Sequence, residues 1–116
     1  MSRTFDLGKT AEQIASIIRQ RTPDAIVDVE TDLRTGIPHE VSVTWRRLRG
    51  VDVRLRVKFY QGDGDAREAK VNVLWGSTDC SAAGAVTFAR LVTDVAAIAC
   101  EIEALTSGCV FTTGKA

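Results

Sequence analysis

One histidine, His39, and two prolines, Pro23 and Pro38, are all the 116-residue chain has of either type, and aromatic residues make up only 6% of it. Metal sites need several clustered ligands, and with no ligand-spaced neighbours His39 reads as a plain turn residue. The three cysteines, Cys80, Cys100 and Cys109, are an odd number, so they do not make a disulfide framework. Cys80 and Cys109 flank a helical stretch of about 25 residues, which at ~1.5 Å per residue separates them by more than 30 Å. Reduced thiols in a reducing compartment follow.

Long apolar runs are also missing. Met1–Asp6 has no apolar core of the signal-peptide kind. The most apolar stretch, 82–105, is broken by Arg90, Asp94, Glu101 and Glu103. The expectation is a cytoplasmic protein with no membrane span. Charge of one sign is missing too: 15 basic residues balance 15 acidic ones, so attraction to nucleic acid or an anionic surface must come from local clustering.

Phosphate loops and calcium loops are excluded by spacing. Gly62-Asp63-Gly64-Asp65 is followed by no Gly-Lys-Ser/Thr, and the twelfth position counted from Asp63 is Leu74 where a calcium loop needs a bidentate glutamate. It reads as a hairpin connection. Cys80 lies near a helix N-terminus, but Asp79 opposes thiolate formation and no histidine is near in sequence. Glu101 and Glu103, two apart on a helix, point to different sides and make no acid pair. No catalytic residue, metal ligand or cofactor is expected, and the chain is read as a non-enzyme.

What is present is a 45% hydrophobic, 26% charged globular composition. Ala11, Ile14, Ile17 and Ile18 share one helical face over 10–21, with a Thr10–Gln13 capping box at its start and Thr22-Pro23-Asp24 at its stop. Four segments then alternate with period two: 25–33, 40–47, 51–60 and 69–75. The cleanest sets Val51, Val53, Leu55, Val57 and Phe59 against Asp52, Arg54, Arg56, Lys58 and Tyr60. Short turn-rich connectors allow hairpins, not parallel crossovers. A second helix runs over 81–106, with Gly108 as terminator. The expected fold is α+β: an α-β-β-β-β-α two-layer sandwich, one domain over 1–116, with a four-stranded antiparallel meander and both helices on one face. Residues 1–6 and 109–116 read as loosely held ends.

Two surfaces stand out. Residues 24–40 carry five acids and one base whereas 46–58 carry six bases and one acid, so the outward face of the strands has an acidic edge beside a basic centre. Arg46, Arg54, Arg56, Lys58 and Tyr60 thus form a candidate partner-binding column, with cross-strand pairs such as Asp28 with Arg46. Trp45, Phe59 and Trp75 have inward parity and belong to the core, so only Tyr60 is left as a stacking platform and nucleic acid is the less favoured partner. The second surface is a stripe of small residues on the long helix: Val86, Ala89, Thr93, Ala97, Cys100 and Ala104. A helix apolar most of the way round is buried on more than one side; either the shorter first helix or a second copy of the chain covers it, the latter giving a homodimer.

The functional expectation is a bacterial-type protein-interaction module of adaptor, chaperone, immunity or inhibitor kind, with a phage or mobile-element inhibitor fitting the same description. A nucleic-acid-binding module using the basic sheet face is the alternative, and a small ligand held between sheet and helices near Trp45 and Trp75 is a third.

Overall fold

The computed structural model describes residues 3–48, 51–61, 66–77 and 81–113. It is a mixed α+β fold with two helices and one six-stranded sheet. In chain order the elements are β1 (Arg3–Asp6), α1 (Leu7–Arg21), β2 (Ile26–Thr31), β3 (Pro38–Leu48), β4 (Val51–Gln61), β5 (Arg67–Ser77), α2 (Ala82–Thr106) and β6 (Cys109–Thr112). The sheet order is β1-β6-β5-β4-β3-β2.

The central four strands pair antiparallel in sequence. The expected sheet of four gains two strands, because Arg3–Asp6 and Cys109–Thr112, within the segments read as loose ends, are strands; residues 1–2 and 114–116 lie outside the described residues. β1 and β6 pair parallel, Phe5 opposite Phe111. Phe111 is only 1% exposed, with its ring 5.5 Å from that of Phe59 in an edge-on contact. Four residues are too few to display a period-two pattern, so burial of one phenylalanine, not alternation, fixes this edge.

α1 begins earlier than the capping box suggests. Asp6, still extended, accepts the Lys9 N–H at 2.9 Å and is the N-cap; Thr10 lies inside the helix and donates to the Asp6 carbonyl. α2 is capped by Ser81, which accepts from the Gly84 N–H. It ends at Thr106 with Ser107 as its C-cap, and Gly108 follows at a φ of 72°, in the left-handed region that a side chain disfavours.

The odd-numbered residues at the middle of β3 and β4 are buried: Val41, Val43 and Trp45 on β3, and Val53, Leu55, Val57 and Phe59 on β4. They form one core with Leu7, Ala11, Ile14, Ala15 and Ile18 of α1 and Leu91, Val95, Ile98, Ala99 and Ile102 of α2. Both helices therefore bury their apolar faces on the same parity of the sheet, which leaves the even parity without a covering helix. Trp45 Nε1–H donates to Thr22 Oγ1 at 2.7 Å, and Thr22 donates in turn to Asp24. This ties the exit of α1 to the centre of β3 and satisfies the one polar atom of the largest core side chain.

Candidate interaction surfaces

Cross-strand register turns the uncovered face into rows. Glu30, Glu40, Lys58 and Lys70 lie side by side from β2 to β5. The next row is Asp28, Ser42, Arg56 and Asn72, and the next Ile26, Thr44, Arg54 and Leu74. Acids thus occupy β2 and its neighbour, and bases occupy β4 and β5.

Arg54, Arg56, Lys58 and Tyr60 come together in one column as expected, with Lys58 Nζ 5.8 Å from the Tyr60 ring centroid. Two expectations fail. Asp28 faces Ser42 and not Arg46, because register is set by the Asp32–Ile37 turn, where Gly36 at φ 70° closes back on the Asp32 carbonyl. The Arg46 side chain lies outside the described residues; its backbone sits at a register shift between Trp45 and Leu48. His39 is exposed at the start of β3, not in a turn.

A feature that strand parity does not reveal is the carboxyl pair within this face. Glu40 is 4% exposed although it points away from the helices. Its carboxylate meets Arg56 Nε at 3.5 Å, and it hydrogen-bonds the Glu30 carboxyl. That bond raises the Glu30 pKa, with burial and the negative charge of Glu40 adding to the effect; His39 and Arg56 act the other way. The basic column is therefore partly neutralised from within. Among the described residues no three His, Cys, Asp or Glu side chains gather as a metal site.

The second surface is the outer side of α2. Val86, Ala89, Thr93, Ala97, Cys100 and Ala104 are all exposed, Val86 at 53%. α1 does not cover them: it meets α2 at its end, through an Arg21–Glu101 ion pair. α2 is long and apolar enough to cross a membrane by length and composition, with 22% of its most apolar window buried. Its inner residues Leu91, Val95, Ile98 and Ile102 are nonetheless packed in the core with the sheet. Cys100 is free on this face and Cys109 is free and half-buried; Cys80 and the 62–65 turn lie outside the described residues.

Comparison of the chain with family models, characterised proteins and solved structures finds no match. Function must be argued from these surfaces alone.

Trp75 corrects the core assignment. It has the expected parity, opposite buried Val53, yet is 60% exposed. Parity says which face a residue is on, not how far the covering layer reaches. Most of the first two turns of α2 are themselves exposed, and β6 is too short to flank that end of β5. A ligand held between Trp45 and Trp75 is not favoured: Trp45 is buried and bonded to Thr22, and among the described residues the cleft beside it is lined by Arg21, Leu91 and Ile98 and not by Trp75.

Proposed function

We propose that this chain is a non-enzymatic protein-interaction module of adaptor, chaperone, immunity or inhibitor type, which acts by surface contact with another protein. The observation that carries the reading is the outer face of α2, where six aligned small or apolar side chains stand exposed on a helix whose opposite side builds the core. Contiguous apolar surface of this kind is costly to leave in water and marks an interaction site. Small side chains admit close approach of another backbone, from a partner protein or a second copy. The bacterial, phage or mobile-element origin of such a module and a cytoplasmic location belong to the same reading.

The charged sheet face is the second contact in this reading. A protein partner suits it better than nucleic acid, because Glu30 and Glu40 sit beside Arg56 and Lys58 and would oppose a phosphate backbone. The test is affinity capture from a lysate of the source cells using wild type, Thr93→Arg/Ala97→Arg and Arg54→Glu/Arg56→Glu. Loss of a specific protein with the first variant supports the α2 reading. Equal capture by wild type and that variant, or no retained protein, overturns it. Capture of nucleic acid lost only with the arginine reversal would transfer the function to the sheet.

A further inference from the structure

The two edges of the sheet core are treated very differently by this sequence. β5 is paired with β4 along its whole length, from Gln61 opposite Arg67 to Val51 opposite Ser77. On its other side β6 pairs with it at one position, Arg67 opposite Phe111. The two strands then diverge around a cleft of about 390 Å³ lined by Glu68, Lys70, Val71, Glu103 and Cys109. Among the described residues no strand lies beside β5 from Lys70 to Ser77. Half of the main-chain groups in that segment point towards the missing neighbour, since alternate residues direct their N–H and C=O to opposite sides.

Natural edges are usually blunted by charge, proline or a bulge. β2, the opposite edge, follows that rule. It carries Asp28 and Glu30, has a register shift at Glu30/Thr31, and receives the Arg19 guanidinium on the Val27 carbonyl at 3.5 Å. From Val71 on, the β5 edge has none of these devices. Val71-Asn72-Val73-Leu74-Trp75-Gly76-Ser77 has no charge and no proline, and Leu74 and Trp75 are exposed on its two faces, 38% and 60%.

α2 is also unguarded on this side. Glu101 points to α1 through its ion pair with Arg21, whereas Glu103 opens on the β5–β6 cleft. Helical spacing aligns Ala85, Ala89, Val92 and Ala96 with Glu103; the first two are exposed and the others half-buried. α2 packs on both β5 and β4, so its axis lies above the interval between them. Strands are about 4.8 Å apart, so a two-fold axis at the β5 edge would set two α2 axes roughly 10 Å apart. That is the ordinary distance for packed helices, about 8–10 Å, at the short end of which only small side chains fit.

We propose that a second copy of this chain pairs antiparallel with β5 over Val71–Ser77, joining two sheets into one and laying the Ala85–Ala96 sides of the two α2 helices against each other. An antiparallel edge is self-complementary, as a two-fold contact requires. Seven residues at about 3.3 Å span about 23 Å. Across a body whose thinnest dimension is 24 Å, the face is on the order of 600 Å² in projection, and accessible area exceeds projected area. That reaches the range of about 800 Å² per partner found in stable complexes. The proposal deepens the interaction reading by naming one partner, and it places the self-contact on the edge side of α2, with Ala89 at the boundary, leaving Val86, Thr93, Ala97 and Ala104 outward as a doubled platform.

Light scattering on the full chain at about 100 µM is expected to give twice the 12.6 kDa chain mass. Leu74→Lys and Trp75→Lys alter side chains already in solvent, so the fold tolerates them. Each sets like charges close together across the dyad and is expected to weaken the dimer at least about tenfold. Hydrogen exchange in 71–77 is expected to slow as wild-type concentration rises, a readout that a dimer through the outward helix face would not give. A monomeric wild type, dimeric edge variants, or a dimer broken by Thr93→Arg and not by Trp75→Lys would each overturn the proposal. A monomer whose 71–77 exchange slows only with another protein bound would assign the edge to that protein instead.

Discussion

Glu30 on β2 and Glu40 on β3 stand directly opposite each other on the uncovered sheet face and share a hydrogen bond between their carboxyl groups. That hydrogen bond, burial and the negative charge of Glu40 raise the Glu30 pKa. Glu40 also meets Arg56.

The pair has a pH signature. A carboxyl whose pKa is higher in the folded chain binds more protons folded than unfolded, so stability falls as pH rises from the ordinary carboxylate value through the folded one. Acidification into that window relieves the repulsion and stabilises. Glu30→Gln, which keeps a donor and removes the charge, is expected to raise the melting temperature near neutral pH. The gain should shrink as the pH falls below the ordinary carboxylate value. Glu30 is exposed, so solvent screening limits the effect to less than about 1 kcal/mol. Thermal melts of both proteins across the acid range check it; a pH-independent difference would place the effect elsewhere.

Arg56 and Arg54, two residues apart on the same face, should behave differently. Arg54→Ala removes an exposed charge and is expected to change stability by less than about 0.5 kcal/mol. Arg56→Ala leaves Glu40 buried without its cation, at a cost of about 1–2 kcal/mol. Urea titrations of the two variants give the comparison; equal costs would mean that Glu40 finds another partner.

The parity of β3 and β4 was legible because eleven-residue strands alternate long enough to separate Val53, Leu55 and Val57 from Arg54, Arg56 and Lys58. What was hidden depends on distances between segments. β1 and β6 are too short to carry a period, and their existence rests on Phe111 finding Phe59 and Phe5. The Glu30–Glu40 pair depends on register, set by a turn whose length and Gly36 conformation alternation does not encode. Trp75 has core parity and a surface position because coverage by α2 is a property of layer length. The outward stripe of α2 was readable as apolar, but whether α1 would cover it was not, since that depends on where α1 lies on the sheet.

Trp45 and Thr22 offer a test of how the exit of α1 is held. Thr22→Ala leaves the indole N–H buried without an acceptor, which is expected to cost about 1–3 kcal/mol. Trp45→Phe removes the donor and some buried area together, while Thr22 keeps its bond to Asp24. In the double variant the two costs are expected to fall short of additive, because the unsatisfied donor created by the first change no longer exists. Denaturant midpoints for the four proteins of the cycle measure this; strict additivity would show that the hydrogen bond contributes nothing to stability.

Phe111 decides whether the β1–β6 edge is part of the cooperative unit. Its ring is buried against Phe59 and Phe5, and both β1 and β6 have it at their shared centre. Phe111→Ala should cost about 3–5 kcal/mol if the site unfolds with the whole domain. Phe5→Ala, on an exposed ring, should cost about 1 kcal/mol or less. The sharper readout is hydrogen exchange. With Phe111 intact, β6 amides are expected to be protected alongside those of β4, since one aromatic contact joins the two strands. With alanine there, β1 and β6 should exchange early while β3 and β4 stay protected, because antiparallel pairing and the Trp45–Thr22 bond hold the centre without them. Uniform loss of protection in Phe111→Ala would mean that this four-residue edge is required for the entire sheet.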